Sequence, residues 1–252
     1  MIITTSHGPV RELRLNRPPA NALSPALIVA LRVAIETAPK DGVRALVLSG
    51  TPGMFSGGLD VPVWLTLDRP TLAQAWRDFY LLLRVLACSP IPVAAAINGH
   101  GPAGGTVLAL FCDWRAMAEG DWKMGFNEVQ VGIPLPPVIL SALRRQVGPR
   151  QAERLGTGGL VISAAEAARI GLVDELVSVE RVVERAVAWC QTLLALPPQA
   201  MSVTRQRSRA DLVGYFDHIE PELDEVIAAW WSEETQNVLR ALAAKLSKAK
   251  SG

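Results

Sequence analysis

The stretch INGHGPAGGTVLALFCDWRAMAEGDWKMGFNEVQVG, Ile97–Gly132, decides how this chain is read. It opens on a turn-rich run, Asn98-Gly99-His100-Gly101-Pro102-Ala103-Gly104-Gly105. An apolar helical pattern follows at Val107, Leu108, Leu110 and Phe111. Then come Cys112-Asp113, a second apolar strip, and a lone acid, Glu128, between Asn127 and Val129. Glycines before a helix free the backbone from the restrictions of a Cβ. They also let a reacting group approach N–H groups that lack intrahelical partners and sit at the positive end of the helix dipole. Such a place holds an anion, or an oxygen that becomes one in a transition state. A Gly pair on its own reads first as a tight turn with close packing.

A second stretch shifts that balance. Upstream lies ALVLSGTPGMFSGGLD, Ala45–Asp60: a buried-type strand, a turn, and another Gly pair before Leu59-Asp60. Two turns of this kind, each after an apolar strand, can supply one N–H apiece to a single oxyanion. One such donor is worth about 10²–10³ in rate.

Together, FSGGLD at Phe55–Asp60, NGHGPAGGTVLALFCDWRAMAEG at Asn98–Gly120 and FNEVQVGI at Phe126–Ile133 resemble the crotonase (enoyl-CoA hydratase/isomerase) superfamily. The resemblance runs over nearly the whole chain. LNRPPANALS at Leu15–Ser24 is similar to the family's opening strand and adenine-side loop, and ISAAEAARIGLVDELV at Ile162–Val177 to its later helix and strand. Within the superfamily the motifs look most like the mitochondrial-type Δ3,Δ2-enoyl-CoA isomerases. The resemblance implies an α/β ClpP/crotonase-like fold of stacked ββα units, with a core over residues 1–198 and a C-terminal helical segment over 199–252. It implies a homotrimer or homohexamer and an acyl-CoA thioester as substrate. No cofactor is expected, since coenzyme A is part of the substrate.

The resemblance also assigns residues. The backbone N–H groups of Leu59 and Gly104 are the expected oxyanion donors. Arg17, Ala20, Asn21 and Ala22 lie on the CoA side, where main-chain contacts dominate. Ser56, Gly57, Asp60 and Gly105 flank the two donors and complete the expected binding set, Asp60 with an N-cap-like structural role. The family's acid/base carboxylates occupy two places, one in the first turn after the Gly pair and one in the later N-E motif. This chain has Val107 at the first and Glu128 at the second. Adding water to a double bond calls for one group to orient the water and another to manage the α-proton, so Val107 counts against hydration. A 1,3 double-bond shift needs one carboxylate, which takes a proton from C2 and returns it at C4. Proton transfer by a placed side chain contributes about 10²–10⁴. An apolar pocket would raise the pKa of Glu128 toward neutrality. Without the motif around it, Glu128 reads as a surface residue in a loop.

Composition sets outer limits. At 252 residues, half of them apolar, the chain can bury a large α/β core. A net charge of +1 selects neither nucleic acid nor acidic partners. Cys88, Cys112 and Cys190 lie in apolar stretches without CxxC or metal spacing, and read as reduced core residues. No His/Asp/Glu set has metal-ligand spacing, and no GxxxxGK[ST] is present. No apolar run reaches 18 residues and the N-terminus shows no signal or transit pattern, so no membrane partner is expected and cytoplasmic placement is the default.

Apolar strands alternate with helices, which says α/β with a mainly parallel sheet. Strands are expected around His7-Gly8-Pro9 and at Val43–Ser49, Val93–Ile97 and Leu172–Val177. Helices are expected after Ser24-Pro25, over Leu72–Cys88, Val138–Val147, Gln151–Thr157 and Glu180–Leu196, and after Ser163. Residues 61–70 read as irregular. From Gln199 the chain reads as helical except at Gly214 and Pro221, with Trp230-Trp231 packing on another surface. Asp113 is open to a structural ion pair or a second acid, and His100 to ligand or solvent. Arg205, Arg207 and Arg209 suit CoA phosphate or a solvated strip equally. Trp64, Leu65 and Trp76 suit an acyl pocket or the core.

Overall fold

The short apolar runs bounded by Gly, Pro and Asp become buried strands, and the 3.6-period runs become the helices that cover them. The structure, a computed structural model, describes residues 1–251, and the side chains of all of these except His218 and 247–251. In chain order the first elements are β1 (Ile2–His7), β2 (Val10–Leu15), α1 (Pro25–Thr37), β3 (Ala45–Ser49), β4 (Gly53–Met54), α2 (Val61–Trp64) and α3 (Arg69–Cys88). The centre of the chain forms β5 (Val93–Ile97), β6 (Gly99–Pro102), α4 (Gly104–Leu110), β7 (Trp114–Ala118), β8 (Lys123–Gly125), α5 (Pro137–Val147) and α6 (Pro149–Gly158). Then come β9 (Val161–Ser163), α7 (Ala164–Arg169), β10 (Glu175–Val177) and α8 (Val182–Leu194). Four helices close the chain: α9 (Pro198–Ser208), α10 (Ala210–Gly214), α11 (Ile219–Trp230) and α12 (Glu233–Ser251).

The main sheet has the order β1-β2-β3-β5-β7-β10. Its first pair is an antiparallel hairpin turned at Gly8, whose φ is 63°, and the remaining pairs are parallel. Strand alternation sends two sets of side chains to opposite faces. Leu46, Leu48, Ala95 and Ile97 join the large core under α1 and α3, while Ala45, Val47, Ala94, Ala96, Ala116 and Ala118 meet α8. The alanines on that second face let α8 lie close against the sheet. A smaller sheet, β4-β6-β8-β9, stands beyond the carboxyl ends of β3 and β5. Its parallel pair Gly53↔Gly99 draws the loops that follow β3 and β5 to one place, the crevice where open α/β sheets bind ligands. A Cβ at Gly99 would overlap the Gly53 backbone, so this pairing requires glycine.

Helix ends follow the sequence. Ser24 caps α1 by accepting from Leu27 N–H, with Pro25 in the first turn, and Ser163 caps α7 by accepting from Glu166 N–H. The Glu166 carboxylate is itself taken by Arg154 at 2.6 Å. Several expectations need correction. Residues 61–64 form α2 and 69–70 the start of α3, so only 65–68 are irregular; Asp68 accepts from Thr71 N–H and Pro70 sits in the first turn of α3. Pro221 lies in the first turn of α11, where a missing N–H costs nothing. Cys88 is exposed at the end of α3, whereas Cys112 and Cys190 are buried. Trp230 packs within its own chain, 5.8 Å from Trp64 and 6.2 Å from Trp76 between ring centres. Among the described residues no helix is long and apolar enough to cross a membrane, and no three metal-ligating side chains come together.

Candidate active site

The loop at residues 16–24 is stitched along the loop at 54–60. Asn21, fully buried with φ 48°, donates to Thr51 Oγ1 (3.0 Å) and to the carbonyls of Met54 (2.9 Å) and Phe55 (3.2 Å). Its Oδ1 accepts from Arg17 N–H at 2.8 Å. Ser56 Oγ donates to Asn21 O (2.9 Å), and Gly57 N–H donates to Ala20 O (2.8 Å). Arg17 donates to Ala22 O at 3.2 Å and pairs with the Asp60 carboxylate. The expected N-cap bond from the Asp60 side chain is not made; the residue precedes α2 and its carboxylate faces Arg17 instead. Of the residues expected on the CoA side, Asn21 and Ser56 thus spend their side chains inside the loop pair.

Leu59 forms an isolated parallel bridge with Leu23. Leu23 N–H donates to Gly58 O at 2.8 Å and Leu23 O accepts from Asp60 N–H at 3.2 Å. A parallel bridge of this kind uses both backbone groups of Leu23 and turns the Leu59 N–H the other way. Gly104 is the first residue of α4, so its N–H has no partner in that helix. The two donor loops touch. Gly58 has φ 87°, and a Cβ there would fall 3.1 Å from Gly104 N and 2.8 Å from the Ala103 Cβ. Gly105 lies behind this point, where a Cβ would overlap Ser56 O; it is a close-packing position and does not line the cavity.

Leu59 and Gly104 open onto a cavity of about 190 Å³. Its walls are Gly57, Val61, Trp76, Phe79, Ala103, Val107, Asn127, Val131, Ile133, Pro136 and Ile139, with Leu242 and Leu246 from α12. Glu128 is the sole ionisable side chain among its described lining residues. Glu128 precedes a 3₁₀ turn, Val129–Val131, and its Oε2 is buried with no partner among the described residues. Burial of the carboxylate raises its pKa from 4.5 to about 7, against a smaller lowering by the backbone N–H groups of Glu128 and Asn127. Val107, 1% exposed, faces the same cavity from α4.

The other candidates fall outside the cavity. Asp113 holds Arg205 (2.8 Å) and Arg209 (2.9 Å), all three side chains being at most 10% exposed. That makes it a structural ion pair and removes both readings of Arg205 and Arg209 as a phosphate or solvated strip, while Arg207 is exposed. Burial lowers the Arg209 pKa, with Asp113 opposing. A wider groove of about 530 Å³, bounded by α8 and α9 near Trp189 and Met201, reaches Asp113 and Arg205, which are paired with each other, and its described lining holds no other ionisable side chain. His100 accepts from Lys123 N–H at 3.1 Å and meets Trp122 edge-on. Of Trp64, Leu65 and Trp76, Trp76 lines the cavity, Trp64 stands behind it at 5.1 Å, and Leu65 packs beside the core. The sequence reading missed Phe79 as a wall residue, although its i+3 spacing from Trp76 puts the two on one face of α3. Leu242 and Leu246 carried only an i, i+4 apolar signal with nothing to say what they would cover.

A family model described as enoyl-CoA hydratase/isomerase matches residues 5–215. The chain is 33% identical over 213 residues to enoyl-CoA delta isomerase 1, mitochondrial, of Mus musculus, covering 82% of this chain and 74% of the mouse protein. It is 32% identical over 194 residues to a probable enoyl-CoA hydratase of Mycobacterium tuberculosis, covering 77% and 74%. Among solved structures, human mitochondrial delta3-delta2-enoyl-CoA isomerase covers 99% of both chains, with a TM-score of 0.93 at 28% identity.

Proposed function

The chain belongs to the enoyl-CoA hydratase/isomerase family, and within it we propose that it converts a 3-enoyl-CoA to the 2-enoyl-CoA with Glu128 as the single proton carrier. The observation that carries this reading is the composition of the cavity wall. One carboxylate, with a buried Oε2 that has no partner among the described residues, faces an otherwise uncharged space, and a valine stands where the family's second acid would be. In the proposed reaction the Glu128 carboxylate takes a proton from C2. The C–H electron pair forms a C1–C2 double bond as the carbonyl π pair moves onto the thioester oxygen; when the carbonyl re-forms, the C1–C2 pair shifts to C2–C3. The Leu59 and Gly104 N–H groups meet that oxygen as charge develops on it, and they cost no reorganisation because the loop pair already holds them. Glu128 then delivers the proton to C4, where the former C3=C4 pair receives it, and the carboxylate is regenerated. A pKa of about 7 suits both halves, since the group must accept and donate at the same pH. The apolar wall provides the acyl side of the site.

The experiment is conversion of 3-hexenoyl-CoA to the conjugated thioester, followed by absorbance, with crotonyl-CoA hydration run alongside. Isomerisation without hydration, abolished in Glu128→Gln, supports the reading; unchanged isomerisation in that variant overturns it. Likeness to the mycobacterial hydratase favours hydration as a second reading. Water addition to crotonyl-CoA by the wild-type protein would establish it and would mean that water is oriented without an acid at position 107.

A further inference from the structure

The position of the Leu59 donor is traceable to one side chain that touches neither the cavity nor any substrate. Apart from its own carbonyl, which accepts from Val61 N–H at 2.9 Å, Leu59 is held through its neighbours. Gly58 O and Asp60 N–H are both bonded to Leu23, at 2.8 and 3.2 Å, so Leu59 sits where Leu23 puts it. Leu23 O accepts a second and shorter bond, from Trp64 Nε1 at 2.8 Å. Trp64 is fully buried and ends α2, the short helix that begins directly after Asp60, and its own N–H donates to Asp60 O at 2.9 Å. Trp64 therefore closes a ring: Leu59-Asp60, one helical turn to Trp64, indole to Leu23, and Leu23 back to Gly58 and Asp60. Its ring is wedged by Trp76 at 5.1 Å and Trp230 at 5.8 Å, which fixes the direction of the N–H.

We propose that Trp64 is a positioning residue, whose indole N–H fixes the Leu59 donor toward the thioester oxygen through the Leu23 carbonyl. This rests on the reading of Leu59 as an oxyanion donor. A donor displaced by a fraction of an ångström or rotated off line loses much of its hold on the developing charge, while the affinity for the ground state, which draws on the whole ligand, barely changes. The consequence is a split between kcat and KM that loss of packing alone does not produce.

The test uses the full-length protein with Trp64→Phe, and with benzothienylalanine at position 64, a ring of nearly the same shape lacking the N–H. Two quantities are read: kcat and KM for 3-hexenoyl-CoA, and the infrared C=O stretch of bound carbonyl-¹³C hexanoyl-CoA, a saturated thioester that cannot isomerise. The expected result in both variants is a fall in kcat of about 10–100-fold with KM within about twofold. The bound carbonyl band, lowered in the wild-type protein, moves back toward that of the free thioester. The benzothienyl protein keeps the core volume, so it carries the decision if Trp64→Phe is poorly folded. Wild-type kcat and carbonyl band in the benzothienyl protein would overturn the proposal. If the wild-type protein does not isomerise 3-hexenoyl-CoA, the proposed reaction fails separately and the infrared band alone decides: a shift that depends on the indole N–H supports the positioning role, and a shift that does not, or none, overturns it.

Discussion

Replacing Glu128 by Gln should make this protein more stable in alkali while it abolishes the proposed chemistry. The carboxylate has a pKa near 4.5 in the unfolded chain and about 7 in the folded one, chiefly because burial disfavours the charge. The folded state therefore binds the proton more tightly. The stability linked to that proton is fully present below pH 4.5 and is lost as pH rises through 7. The rise from 4.5 to about 7, at about 1.4 kcal/mol for each pH unit, is worth roughly 3 kcal/mol. Glutamine is uncharged at every pH and escapes this cost. Any penalty it introduces, such as an unpaired amide N–H in the cavity, is the same at every pH and cancels when two pH values are compared. Equilibrium urea unfolding of both proteins at pH 5 and pH 8.5 reads the effect. The stability of the variant relative to wild type should grow by roughly 2–3 kcal/mol between the two, given that part of the cost is already felt at pH 5. A gap that is constant between pH 5 and 8.5 would refute the argument, because it would mean that Glu128 has an ordinary pKa in the folded protein.

Other perturbations test other links. The rate constant kcat/KM for 3-hexenoyl-CoA should rise about tenfold per pH unit below 7 and level off above it, since the carboxylate is the working form. Thr235→Val removes the 2.6 Å bond that holds Gly132 O, loosens the turn that buries Glu128, and should move that midpoint to lower pH; a midpoint that stays put would separate the turn from the acid. Gly58→Ala places a methyl 2.8 Å from the Ala103 Cβ at a φ of 87°, and should drop kcat by about 10²-fold as the two donor loops part, with little change in KM. Asp113→Ala leaves Arg205 and Arg209 buried without their partner, and should cost about 3–5 kcal/mol in urea unfolding. In the fraction that stays folded, KM should be unchanged, since none of the three lines the cavity.

The parallel sheet was legible because its strands carry their signal locally. Val93–Ile97 is a short apolar run between Pro92 and Asn98, and it forms β5 at those residues. The two Gly turns were legible for the same reason, and so were the Ser24 and Ser163 caps. What composition could not reveal was which partner each turn would meet. Residues 61–70 contain two prolines and looked irregular, yet each proline falls in a first helical turn, where its missing N–H is harmless. The three arginines at 205, 207 and 209 alternate as a solvated strip would. Two of them are buried because Asp113, about 90 residues earlier, is presented at the end of α4. Trp64 and Trp76 could not be assigned to wall or core from spacing alone, and the structure divides them: one lines the cavity, the other stands behind it on Trp230 from the far end of the chain. Glu128 was identifiable by its motif, but its burial was not, because the residues that close over it come from elsewhere.

Those residues show how the fold sustains a carboxylate that disfavours it. Glu128 O accepts from Val131 N–H and Ile133 N–H, at 3.0 and 2.9 Å, so the acid is fixed at the head of a tight turn. Gly132 reverses the chain there with φ 77°, and its carbonyl is held by Thr235 at the start of α12. The same helix lays Leu242 and Leu246 on the cavity two turns further on. One helix thus holds the turn and adds apolar wall to the cavity beside the acid, and both favour a raised carboxylate pKa. The roughly 3 kcal/mol set against the fold by ionised Glu128 is offset in part by docking α12, whose Leu239 is fully buried and whose Thr235 is 1% exposed. A single acid that both takes and returns the proton works best with a pKa near the working pH. In the proposed site that pKa is set by the packing of the C-terminal helix, whereas the proposed oxyanion donors are set by the loops that lead into α2 and α4.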